Sequence, residues 1–249
     1  MTDRFRFTAP YKTIYKKTSP YLEDHPLIRP DKGGPVLVAV SGGQDSMALL
    51  HFLALHPLSL TLIPCMIDYG FPEEKRLLAS VCKGLGLDLH LIPARRGEDC
   101  YECSRERKKM LFEVALERGA AVIFLGHHGD DLLESFFLSL LYGGEIHTFR
   151  PVESFHDSFL LVRPFSALFK KDVASYSRSA GLPLLPVSSC PNAQQGKREE
   201  VRRLLQAFSG EQKSRLLSTL LRTLQTEKKF RSISHPPVLP GERSMFSIE

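Results

Sequence analysis

The stretch Val36-Leu37-Val38-Ala39-Val40-Ser41-Gly42-Gly43-Gln44-Asp45-Ser46 constrains the fold of this 249-residue chain more than any other. An apolar run stops at a small polar turn with two adjacent glycines, and apolar residues resume at Met47-Ala48-Leu49-Leu50. Such a run reads as a strand buried in a parallel sheet, and the segment after the turn reads as a helix. The turn can then present bare backbone N–H groups at a helix N-terminus, where the dipole favours an anion. Phosphate is the expected ligand. A mononucleotide-kinase loop would need Lys-Ser or Lys-Thr after its second glycine to reach the terminal phosphates, and no such pair follows here. Cleavage between the outer phosphates is therefore disfavoured. The competing reading is a tight turn capped by Ser41 or Asp45.

The chain continues as alternating elements. Strand-like runs recur near 36–40, 60–67, 87–92, 121–125 and 159–163, separated by helix-like segments near 46–55, 73–85, 104–118 and 130–142. That alternation implies an α/β fold, a doubly wound parallel sheet covered on both faces, with ligands at the C-terminal strand ends. Three clusters fall at those ends: Ser41 to Ser46, Asp68, and His127 to Asp131. After Pro164 come a helix near 169–180, a loop from Leu182 to Asn192, basic amphipathic helices near 197–208 and 211–228, and a tail with Pro236, Pro237 and Pro240. The expected division is a basic N-terminal segment over 1–35, a nucleotide-binding catalytic domain over 36–208, and a C-terminal helix and tail over 209–249.

Charge is distributed unevenly. Residues 1–35 hold 7 Lys/Arg against 4 acids and residues 197–249 hold 11 against 6, whereas 36–196 hold 15 against 18. A slightly acidic body with basic ends suits a large phosphate-bearing partner, with Lys197, Arg198, Arg202 and Arg203 as candidate backbone contacts, although solvated helix faces look similar. No stretch approaches 18 uninterrupted apolar residues, and Met1 to Pro10 lacks the apolar core of a signal peptide, so a cytoplasmic protein without membrane association is expected. Five dispersed cysteines argue against a disulfide framework. Cys100-Tyr101-Glu102-Cys103 sets two thiols three residues apart just before a helix, and Cys190 follows in Ser188-Ser189-Cys190-Pro191. These three could converge on one metal: structural zinc would need a fourth ligand, whereas an iron–sulfur cluster held by three thiolates keeps one iron open. A redox pair or simple burial are the alternatives, and burial is the reading for Cys65 and Cys82.

Several motifs in matching order carry a resemblance. Ser41-Gly42-Gly43-Gln44-Asp45-Ser46, Cys100-Tyr101-Glu102-Cys103-Ser104-Arg105, Gly126-His127-His128-Gly129-Asp130-Asp131-Leu132-Leu133-Glu134 with Tyr142-Gly143-Gly144, Arg163-Pro164, and Cys190 resemble the tRNA 2-thiocytidine synthetase family of PP-loop ATP pyrophosphatases over roughly residues 36–206. The resemblance implies ATP-dependent thiolation of a cytidine in the tRNA anticodon loop, with release of AMP and pyrophosphate. ATP would be bound by Ser41, Gly42, Gly43, Gln44, Asp45, Ser46, Asp68, His128, Asp130 and Asp131, with magnesium on Asp45. A [4Fe-4S] cluster would sit on Cys100, Cys103 and Cys190, which with Asp45 form the catalytic set. A sulfide or persulfide donor and a homodimer are further implications.

The chain departs from that family at two places, having Gln44 where Lys is usual and Gly129 where Arg is usual. Losing two cations beside phosphates weakens ATP binding unless magnesium or another basic residue takes over the charge. Asp68 reads alternatively as a turn carboxylate capping the next helix, and Asp130 and Asp131 as first-turn acids favoured by the helix dipole. Two other functions stay in view: a lysidine synthetase, which adenylates cytidine without three clustered cysteines, and a non-catalytic RNA-binding relative.

Overall fold

Successive side chains of a strand point to opposite faces of its sheet, and here that alternation sorts the core into two layers. A computed structural model of the chain describes residues 5–23, 25–28, 34–95, 100–155, 159–183 and 196–234. Six strands, β1 (Val36–Ala39), β2 (Leu62–Asp68), β3 (His90–Pro93), β4 (Val122–Phe124), β5 (Val152–Phe155) and β6 (Phe159–Val162), form one sheet ordered β3-β2-β1-β4-β6-β5. Neighbours pair in parallel except β5, which runs antiparallel to β6 at the edge. Val36, Val38, Val122, Phe124, Leu160 and Val162 face the larger core. Leu37, Ile123 and Leu161 face the smaller one.

The larger core is closed by α1 (Ala9–Glu23), α2 (Gln44–Ala54), α3 (Pro72–Gly84) and α6 (Lys170–Ser179), through residues such as Ile14, Leu22, Phe52, Leu78 and Tyr176. The opposite face is covered by α4 (Cys100–Glu117), which contributes Leu111, Val114 and Ala115. Beyond the sheet, α5 (Gly129–Leu138) packs Leu132 and Leu133 against Val201 and Leu205 of α7 (Lys197–Gln206) and Leu217 of α8 (Gly210–Ser234). This third cluster spans residue 208, so both basic helices share it.

One α-helix and one strand were not read from the sequence. Helix α1 buries Tyr11, Ile14, Thr18 and Leu22, a stripe spaced three and four apart that lysines 12, 16 and 17 obscure. The edge strand β5 includes Glu153 and Ser154, and such a partly polar strand lacks the apolar run that marks its parallel neighbours. Helix α5 also ends at Leu138 rather than 142, where the chain widens into one π turn over Ser139–Gly143.

Candidate functional site

The chain winds outward from β1 through β2 to β3, then returns to place β4 on the other side of β1. Ligand crevices open where such a sheet reverses its order. The loops leaving β1 and β4 meet there.

The first loop is closed by its own hydroxyls. Ser41 N–H donates to Ser46 Oγ at 3.1 Å, Ser46 Oγ donates to the Gly43 carbonyl at 2.9 Å, and the two serine oxygens lie 3.2 Å apart. Gly42 has φ +79°, a left-handed conformation that needs glycine. Gly43 caps α2 without a side chain, and the first backbone bond of the helix is Met47 N–H to the Gly43 carbonyl at 3.1 Å. The N–H groups ahead of it form the unpaired first turn, where the sequence reading expects an anion.

Gly126, just past β4, lets the second loop come against that turn. A Cβ on Gly126 would lie 3.1 Å from both Cα and N of Ser46 and 3.2 Å from the carbonyl carbon of Asp45. His128, 4% exposed, then points Nε2 at Asp45 Oδ2, 3.7 Å away and so beyond hydrogen-bond distance. Its Nδ1 accepts from Asp131 N–H at 3.4 Å, and Asp131 Oδ2 accepts from His128 N–H at 2.9 Å. An accepting Nδ1 leaves the proton of a neutral ring on Nε2, facing Asp45. Asp130 Oδ2 lies 3.7 Å from His128 Nδ1 and accepts from Lys170 N–H at 2.7 Å.

Asp45 is the focus of this arrangement. Its carboxyl is pushed above the usual range by burial, helped by Asp131 and Asp130, against the opposing charges of His128 and Lys170. Oδ1 is buried and has no hydrogen-bond partner. A carboxylate in that state gains from a cation beside it, which fits magnesium carried with ATP. Among the described residues no group of three His, Cys, Asp or Glu could hold a metal alone, and magnesium bound through one or two carboxylates plus phosphate oxygens needs no such group.

The remaining candidates are placed as follows. Asp68 ends β2, but its carboxylate accepts from Gly70 N–H at 2.9 Å and pairs with Lys75 Nζ at 2.8 Å, contacts that hold its pKa below the usual range. The turn contact of the alternative reading is thus present, but the next helix begins after Phe71 with no side-chain cap. His127 lies against Phe149, ring centroids 5.2 Å apart. Arg163 is 2% exposed, stacks on the same ring at 4.8 Å and pairs with Glu153 Oε2 at 3.1 Å. Arg163 and Phe149 thus pack beside His127, a placement the sequence did not reveal.

Cys100 and Cys103 fall within the first turn of α4 rather than before a helix. Arg107, a turn further on, is close enough for its charge to act on His127, so this end of α4 lies at the carboxyl edge of the sheet. Cys190 lies outside the described residues. Cys65 and Cys82 are buried in separate cores, and burial pushes their thiols up to about 12 and about 11. Of the basic candidates, Lys197 sits 5.0 Å over the Tyr142 ring, Arg198 is exposed, Arg203 Nε is 3.6 Å from Glu199, and Arg202 is held by Glu134 at 2.9 Å.

A family model described as a PP-loop domain matches residues 12–189. The tRNA-cytidine(32) 2-sulfurtransferase of Cupriavidus metallidurans is 33% identical over 205 residues, 75% of this chain and 65% of its own length. That of Pseudoalteromonas atlantica is 30% identical over 85% of this chain and 71% of its own length. The chain thus spans about two thirds of the length of these curated relatives. Among solved structures, the U34-tRNA thiolase NcsA of Methanococcus maripaludis, with its [4Fe-4S] cluster, superposes with a TM-score of 0.69 at 18% identity, over 86% of this chain and 79% of that one. At that identity the likeness establishes a shared fold.

Proposed function

Because this chain belongs to the tRNA-cytidine(32) 2-sulfurtransferase family of PP-loop proteins, we propose that it replaces a cytidine oxygen of tRNA by sulfur at the expense of ATP. One observation carries the reading: Asp45 stands at the start of an uncapped helix, at the reversal of the sheet, with Oδ1 buried and unpartnered and Oδ2 facing His128. A cation and a phosphate chain complete that arrangement.

In this reading the first-turn N–H groups of α2 and the Ser41 hydroxyl hold the β- and γ-phosphates, and Asp45 holds the magnesium that accompanies them. Magnesium supplies neutralisation of phosphate charge. The cytosine C2 carbonyl oxygen attacks the α-phosphorus; a new P–O bond forms and pyrophosphate leaves. His128 Nε2 faces Asp45 Oδ2 from the second loop. A sulfur nucleophile then attacks C2 and AMP departs with the former carbonyl oxygen. AMP is a far better leaving group than oxide, which is what the adenylation achieves. Three thiols of Cys100, Cys103 and Cys190 make a donor set that suits a [4Fe-4S] cluster, which when bound leaves one iron open to a sulfur species. The base must leave its stack, and an anticodon-loop nucleotide is less costly to extrude than one in a stem. Lys197, Arg198 and Arg203 are the proposed tRNA backbone contacts. The ion pair of Arg202 with Glu134 ties α7 to α5 and gives that arginine a structural role as well. A sulfide or persulfide source and a homodimer belong to the same proposal.

The direct test is product analysis with tRNA, ATP, magnesium and sulfide under anaerobic conditions. AMP and pyrophosphate are the expected products, and Asp45→Asn lowers their formation about a hundredfold or more. ADP and free phosphate from the wild type would overturn the reading.

A further inference from the structure

A loop that binds a polyphosphate beside Asp45, Asp130 and Asp131 needs a fixed positive charge, and its own residue at position 44 is a neutral glutamine. A cation would then have to come from another element. Helices α2 and α6 both start at the carboxyl edge of the sheet and pack side by side in the larger core. Their register is fixed by His51 Nδ1, 2.8 Å from Tyr176 Oη. Asp45 lies six residues before His51, and Lys170 six residues before Tyr176, a rise of about 9 Å back along each helix to the same level. The two N-terminal ends are therefore neighbours.

A second set of contacts brings Lys170 to the crevice independently. Gly129 N–H donates to the Leu168 carbonyl at 2.7 Å, an approach so close that a Cβ at 129 would lie 2.8 Å from that oxygen. The chain after Leu168 is thus laid on the start of α5, where Lys170 N–H meets Asp130 Oδ2 at 2.7 Å. The backbone of Lys170 is held, while its side chain is exposed and makes no ion pair or hydrogen bond among the described residues. Its positive charge acts on Asp45, opposing, together with His128, the effect of burial.

We propose that the Lys170 ammonium contacts the triphosphate of ATP bound on the Ser41–Ser46 loop, supplying from α6 the cation that Gln44 does not. This rests on the ATP-dependent reading above. A point charge on a flexible stem can follow a phosphate as it leaves with pyrophosphate.

The test compares magnesium-ATP and adenosine binding by calorimetry in the wild type, Lys170→Met, Lys170→Arg and the double variant Lys170→Met with Gln44→Lys. Loss of one charge-assisted contact weakens ATP binding by roughly 10- to 100-fold in Lys170→Met, with adenosine affinity unchanged. Lys170→Arg and the double variant recover most of the loss. Lys170→Met keeps the N–H to Asp130, and an unchanged thermal midpoint separates the effect from unfolding. Wild-type ATP affinity in Lys170→Met overturns this proposal alone, as does an equal loss of adenosine binding. A wild type that binds no ATP overturns the ATP-dependent reading and this proposal with it.

Discussion

At position 129 the structure has no room for a side chain. A Cβ there would come 2.5 Å from Leu217 Cδ2 and 2.8 Å from the Leu168 carbonyl, and the carbonyl is backbone that cannot swing aside. Glycine here lets α5 begin directly under the 166–170 segment and lets α8 place Leu217 over it. The departure at 129 that the sequence shows is therefore accompanied by a filled space rather than a vacated one. Gly129→Ala is expected to destabilise the fold by about 1–3 kcal/mol through overpacking, read as a lower denaturation midpoint. An unchanged midpoint would mean that α8 yields easily. Gln44 differs in kind: it is a surface choice at the first turn of α2, and its consequence is electrostatic. The placement of Ser41, Asp45 and Ser46 at the junction of β1 and α2 was legible because an apolar run broken by two glycines leaves few alternatives. Arg163 and Phe149 were not, because an isolated Arg-Pro gives no sign that the arginine is buried against an aromatic ring.

At the scale of elements, the parallel strands and their intervening helices followed from apolar periodicity, and the clusters at strand ends followed from the strands. What stayed hidden was determined by tertiary contact. Helix α1 reads as a charged segment until Tyr11, Ile14 and Leu22 are seen packed with Phe52 and Tyr176. Strand β5 exists through its antiparallel pairing with β6. The α1–α2–α6 layer carries its own pH dependence. Burial pushes His51 and His56 down to about 4 from an ordinary 6.5. Both are neutral when folded and take up protons on unfolding once the pH falls below that ordinary value. Stability is thus complete above 6.5 and declines toward 4, by up to about 1.4 kcal/mol per pH unit for each histidine. Thermal midpoints measured between about pH 7 and pH 4.5 should fall, and His56→Gln should reduce the slope. A flat profile in the wild type would contradict this sign.

At the scale of the molecule, two cores on either side of one sheet position the crevice, and a third core attaches α7 and α8 to α5 at its rim. The basic helix α7 therefore packs on α5, whose first turn carries Asp130 and Asp131, so an RNA held there, as proposed, would lie near the crevice. The described helices include none long and apolar enough to cross a membrane. Helix α4, which carries Cys100 and Cys103 in its first turn, covers the face of the sheet opposite α2 and α6. The most direct measurement is mass spectrometry of tRNA nucleosides from cells in which the gene is deleted. Loss of 2-thiocytidine is expected, with restoration by the wild-type gene and none by the Cys100→Ala variant; an unchanged 2-thiocytidine level in the deletion strain would contradict the assignment of this chain as the tRNA-thiolating enzyme.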